Sequence, residues 1–172
     1  PLFALAGARE LLDIDSLAFP LTCGAVEINR NMPLASLSLL RNALGGRLDG
    51  RTILLMGASY LPGVDDTRYS ASEIFVTSAR GEGARVVVHD PLVRHWRELD
   101  IDIPVELPAA GGIDAVIFAV AHREYRALSP ADWLAGATPA VLDANNVLSA
   151  DQRSAFAAAG CDVRSIGRGI RS

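Results

Sequence analysis

A doubly wound parallel α/β domain is predicted for most of this 172-residue chain, and three observations predict it. From Arg51 onward, short continuous apolar runs alternate with helical patterns, as strands buried on both faces of a sheet do. Half of the residues are hydrophobic but only 6% are aromatic, so the core must be built from Ala, Leu, Val and Ile. The length suits one domain, or one domain with an appendage.

The elements follow in order. The first 50 residues read as helical, beginning with Leu2 to Ile14, where apolar residues fall at helical spacing. A break at Asp13 to Leu21 separates this helix from a second, expected over Cys23 to Leu44, with Pro33 tolerated near its start or kinking it. Leu37, Leu40 and Leu44 share one face, which must be buried either on the chain's own sheet or in a dimer, and Gly45-Gly46 ends the helix. Thr52 to Met56 is the first strand, and Ser70 to Arg80 a helix closed by Gly81 and Gly83. Arg85 to His89 is the second strand and Pro104 to Leu107 a short third one. Asp114 to Val120 is strongly strand-like, and Pro130 to Leu134 a short helix. Ala140 to Asp143 is a strand, Ser149 to Ala159 a helix with a Ser N-cap, and Asp162 to Ile166 the last strand.

Composition excludes several functions. A net charge of −4 with no basic cluster argues against nucleic-acid binding. No apolar run approaches the roughly 18 residues a membrane helix needs. Cys23 and Cys161 lie far apart without a partnering motif and read as reduced thiols of a cytoplasmic protein. Three scattered histidines give no metal site. The chain opens at Pro1 without a methionine or signal-like segment, and the expectation is an excised or processed piece of something longer.

Ligands of open α/β sheets bind beyond the carboxyl ends of the strands, where strand order reverses. Four loops there carry polar residues: GASYLPGVDDTRYS, DPLVRH, AHREYRALSP and DANNVLS. The first does not fit a dinucleotide. Its glycines, Gly57 and Gly63, enclose Ser59 and Pro62, and the loop is about twice the length that a Gly-x-Gly-x-x-Gly turn requires. Asp90 stands where a ribose-binding acid would, but Asp90-Pro91 reads better as a strand terminator. In Asp65-Asp66-Thr67-Arg68 one carboxylate can cap free backbone N–H groups while Arg68 pairs with the other. Such a loop is either self-satisfied or a stiff mount that presents its backbone and Tyr60 to a ligand. His122, without a visible acid or metal partner, reads as a loop residue, and Trp96 and Trp133 as helix-packing residues.

The segment GASYLPGVDDTRYSAS resembles the Gly-Leu-Ala-Phe-Lys-Pro-x-x-Asp-Asp-x-Arg-x-Ser-Pro stretch of the UDP-glucose/GDP-mannose dehydrogenase family. Four further segments are similar to that family's motifs and come in the family's order. EINRNMP resembles its central helix, VVVHDP its Tyr-Asp-Pro strand end, DANNVL its Asp-Gly-Arg-Asn turn and SIGRG its terminal Gly-Arg. PLFALAGARELL is similar to the segment just after the family's Cys-x-x-Lys-Asp motif. The resemblance covers nearly the whole chain. It implies a helical central, dimerising segment over residues 1–48, followed by a Rossmann-like nucleotide-sugar (UDP)-binding domain over 49–172.

Members of the family oxidise the C6 alcohol of a nucleotide sugar to a uronic acid in two hydride transfers, through a thiohemiacetal on a cysteine. The resemblance therefore implies NAD bound by a domain upstream of this segment, with neither the catalytic nor the cofactor-binding residues inside it. Cys23 does not match the nucleophile's motif. The implied substrate-binding residues are Tyr60, Leu61, Asp66, Arg68 and Asn145, and the implied assembly is a homodimer through the helix near residues 23–45. Two departures matter: Leu61 stands where the family has Lys, and Asn145 where it has Arg. Charge-assisted bonds of this kind contribute about 1.5–3 kcal/mol each. Their loss weakens binding of a UDP-sugar unless Arg123, Arg126 or upstream residues compensate. Two readings follow: a substrate-binding domain with altered preference, or a divergent non-catalytic domain serving dimerisation or interaction.

Overall fold

A computed structural model describes residues 19–167. The chain divides into two compact units, residues 1–32 and 33–172. The first helix, α1 (Pro20–Ala43), begins three residues before the expected start. Pro20 accounts for this, since its fixed φ suits a first turn that has no use for its N–H. Pro33 lies well inside the helix rather than near its start. The expected helix over Leu2 to Ile14 lies outside the described residues.

The second unit holds a five-stranded parallel sheet in the order β2-β1-β5-β6-β7. Its strands are β1 (Thr52–Met56), β2 (Arg85–His89), β5 (Ala115–Phe118), β6 (Ala140–Asp143) and β7 (Val163–Ser165). The helices are α2 (Ala71–Gly81), α3 (Arg123–Arg126), α4 (Pro130–Leu134) and α5 (Ala150–Ala158). From β1 the chain runs outward on one side to β2 and returns on the other to β5, so strand order reverses at β1.

Period-two alternation sorts the core onto both faces. Ile53, Leu55, Ala115, Ile117 and Leu142 pack with Phe75, Val76 and Ala79 of α2. Leu54, Met56, Val116, Phe118 and Val141 pack with Tyr125, Leu134 and Phe156 on the opposite face. Leu37 and Leu40 of α1 are buried in the first of these clusters, with Leu44 packed against it. The leucine face is thus taken up by the chain's own sheet and is not free to form a dimer core.

Two expectations fail between β2 and β5. Pro104 to Leu107 is not a strand; a short antiparallel pair, β3 (His95–Trp96) and β4 (Ile101–Asp102), takes its place. Pro104 has no N–H to give a ladder, and Pro108 follows at once. Trp96 is a fully buried strand residue that shares a cluster with Leu37 and Leu40 of α1 and Phe75 of α2. Trp133 does lie on a helix, and its indole N–H donates to Pro108 O at 2.9 Å. Among the described residues no helix is long and apolar enough to cross a membrane.

Candidate functional site

Asp90 ends β2 and its side chain is completely buried. One carboxylate oxygen accepts the N–H groups of Ala58 (2.9 Å) and Ser59 (3.0 Å), which follow β1. The other accepts those of Leu92 (2.9 Å) and Val93 (3.1 Å) in its own loop. His122, 1% exposed, approaches the first oxygen through Nε2 at 3.2 Å. Burial pushes the Asp90 carboxyl upward, but the bonds from His122 and the backbone N–H groups outweigh it and hold the acid well below the usual carboxylate range. With its lone pairs committed to the protein, Asp90 acts as a terminator and not as a ribose ligand.

His122 therefore has an acid partner, contrary to the expectation from the sequence. The Gly63 N–H points at Nδ1 (3.3 Å), which assigns the ring proton to Nε2. Nε2–H then faces both Asp90 and Ser59 Oγ (2.9 Å), while Ser59 Oγ donates to Leu61 O (3.1 Å). Serine and carboxylate share one ring nitrogen, so the group cannot relay a proton in the manner of a hydrolytic triad. It is a staple joining three loops. Below it, the Tyr125 hydroxyl donates to His89 O (2.9 Å) and lies 3.0 Å from His89 Nδ1. The signal for this staple was present in the sequence as an acid and a histidine ending two apolar runs. Only the strand order, with β2 and β5 flanking β1, shows that they meet.

The long loop 57–70 is tied down along its length. Tyr60 N–H donates to Asp66 O (2.7 Å), Thr67 Oγ1 to Glu98 (2.7 Å) and Ser72 Oγ to Gly57 O (2.8 Å). Gly57 has φ +111°, and a Cβ there would lie 2.5 Å from Val120 Cβ. This glycine serves the close approach of β1 to the chain leaving β5, and not a pyrophosphate. Asp66 accepts Arg68 Nε (2.9 Å), Nη2 (2.7 Å) and backbone N–H (3.0 Å). That fork pulls the Asp66 carboxyl down to about 2. The helix itself is capped by Ser70, whose hydroxyl accepts Ser72 N–H, rather than by either aspartate.

Tyr60 and Leu61 are more than half exposed, at 57% and 51%. Tyr60, Leu61, Asp66 and Arg68 share the loop after β1, whereas Asn145 stands on the loop after β6, beyond the intervening β5. The Asn145 amide donates to Ala119 O at 3.2 Å. None of these five lines either of two clefts that described residues wall at this edge. The larger, about 480 Å³, lies at the strand-order reversal between Pro62-Gly63, Leu92 and the His122 to Arg126 segment. The second, about 330 Å³, lies between Arg126 and the turn and helix from Asn146 to Arg153. That turn is closed by Asp143, which accepts Val147 N–H at 2.7 Å and Arg153 Nη1 at 3.3 Å. The sequence reading passed over Pro62, Gly63 and the Asn146 to Arg153 turn as cleft walls.

The profile described as "UDP-glucose/GDP-mannose dehydrogenase family, UDP binding domain" matches residues 54–150, from β1 to the start of α5. The chain belongs to this family. It is 33% identical over 108 residues to UDP-glucose 6-dehydrogenase AglM of Haloferax volcanii, covering 60% of this chain and 25% of that protein. It is 27% identical over 156 residues to UDP-glucose 6-dehydrogenase YwqF of Bacillus subtilis, covering 87% of this chain and 34% of that protein. The crystal structure of NDP-N-acetyl-D-galactosaminuronic acid dehydrogenase from Methanosarcina mazei superposes with a TM-score of 0.76 at 26% identity, covering 96% of this chain and 35% of that one. The chain thus spans between a quarter and about a third of the length of these relatives. The matched segment contains all residues that wall the larger cleft and most of those that wall the second.

Proposed function

We propose that this chain is the nucleotide-sugar-binding part of an NAD-dependent dehydrogenase that oxidises the C6 alcohol of a UDP-sugar, or a related NDP-sugar, to a uronic acid. One observation carries the reading: the family match spans the loops that wall the larger cleft, at the strand-order reversal, and the turn after β6 that walls the second. In this reading residues 49–172 hold the nucleotide: Tyr60 and Leu61 stand beside the wall residue Pro62 and Asn145 beside Asn146, while Asp66 and Arg68 hold the loop in shape. NAD is bound by a domain upstream, which also supplies the nucleophile. Residues 1–48 form the dimerising segment. Because Leu37 and Leu40 are used within the chain, the dimer contact falls on exposed apolar residues of α1 such as Leu21 and Ile28.

The chemistry left to this part is binding and orientation. A rigid loop after β1 presents Tyr60 and backbone to the nucleotide, and the Asp66–Arg68 fork keeps that loop in one shape before ligand arrives. A second reading, a divergent domain retained for assembly, is favoured by the apolar Leu61 and neutral Asn145 in place of two family cations. Calorimetric titration with UDP, UDP-glucose, TDP-glucose and GDP-mannose, with NAD as control, separates the two. Micromolar binding of one sugar nucleotide and none of NAD is the outcome expected for a substrate domain. Silence toward all four nucleotides, in the presence of the upstream domain, would leave the assembly reading standing.

A further inference from the structure

We propose that Arg126 is the phosphate-binding cation of this site and takes over the charge that Leu61 and Asn145 do not supply; the inference rests on the nucleotide-binding reading above. The chain contains no lysine, so the permanent side-chain cations it can offer a phosphate are arginines. Three arginines line the two clefts: Arg123, Arg126 and Arg153. Arg123 Nε is engaged by Glu124 at 2.8 Å. Arg153 is spent on Asp143 and on Leu148 O, closing the turn after β6. The Arg126 guanidinium has no hydrogen bond or ion pair among the described residues, and it lines both clefts at once.

Its mount is rigid although its head is free. The backbone N–H of Arg126 donates to His122 O (3.3 Å). His122 is stapled to Asp90, and the adjacent Tyr125, 1% exposed, is fastened to His89 O. A fixed Cα with an uncommitted guanidinium, set between the cleft at the switch point and the one beside the turn after β6, suits a bidentate hold on a diphosphate that bridges them. At the N-terminus of α5 two N–H groups are already taken: Ser149 Oγ accepts Gln152 N–H, and the Gln152 side chain accepts Ser149 N–H.

The test is titration of the full chain with UDP and with uridine, followed by NMR, for the native sequence, Arg126→Ala, Arg126→Lys and Arg97→Ala. Arg97 is an exposed arginine at the end of β3, outside both clefts, and its removal changes net charge equally. Arg126→Ala should weaken UDP about 10- to 100-fold, with Arg126→Lys between it and the native chain. Uridine binding and melting temperature should stay unchanged in every variant, and UDP binding unchanged in Arg97→Ala. Native-like UDP affinity in Arg126→Ala, or an equal loss in Arg97→Ala, would overturn the role of Arg126 while leaving the nucleotide reading intact. If the native protein, with its upstream domain present, binds neither ligand, that reading and this inference fall together.

Discussion

Removing the Asp90 carboxylate would strand the N–H groups of Ala58, Ser59, Leu92 and Val93 together with His122 Nε2–H. Loss of a buried, fully engaged charge of this kind costs about 3–5 kcal/mol, so Asp90→Ala should lower the urea midpoint severely. Gly57→Ala should cost at least about 2 kcal/mol, because the new Cβ meets Val120 at a φ that L-residues avoid. The exposed Asp66–Arg68 fork behaves differently. Asp66→Ala should leave the urea midpoint nearly unchanged, since solvent screens exposed pairs. On the proposed nucleotide-binding reading, its effect should appear in nucleotide affinity, through a loosened loop. The three residues are legible in the sequence to different degrees: the fork is local and can be read from its spacing, whereas Asp90 depends on two other loops.

At the scale of elements, α5 is the clearest case of local instruction. Ser149 and Gln152 form a reciprocal capping box, as the Ser N-cap in the sequence suggested. Ser149→Ala should cost about 1 kcal/mol, readable as a shift in the thermal midpoint. The strands were equally legible, because runs buried on both faces need nearly continuous apolar sequence. The hairpin β3–β4 was not. Two-residue strands carry too little periodicity to stand out, and Trp96 is buried by tertiary packing rather than by any pattern around it.

For the whole molecule, acid should destabilise the fold in two stages. Burial lowers the pKa of His89 from its ordinary 6.5, so the unfolded chain binds the proton first. Stability is therefore full above about pH 6.5 and declines as pH falls through the His89 value. Asp90 is depressed likewise, and its contribution, present above about pH 4, is lost on further acidification. Each stage has a slope of at most about 1.4 kcal/mol per pH unit, measurable by urea unfolding at stepped pH. His89→Gln should remove the first stage and spare the second. Sedimentation equilibrium at micromolar concentration tests the assembly: a dimer is expected, and Leu21→Glu with Ile28→Glu should give a monomer whose sheet remains folded.

By itself the sequence determined the alternation of strands and helices, the family and the loop after β1, because these depend on residues near one another in the chain. Periodicity, caps and ordered motifs are local properties, and they survive being read along one dimension. Tertiary structure alone decided what the polar residues at the carboxyl edge do. Strand order sets β2 and β5 on either side of β1, and so brings Asp90, Ser59 and His122 into one buried staple. Tertiary packing likewise buries the leucine face of α1 against the sheet, and the fold makes Arg126 a shared wall of two clefts. Charges that look equivalent in the sequence differ in the fold by whether a neighbour has already claimed their hydrogen bonds.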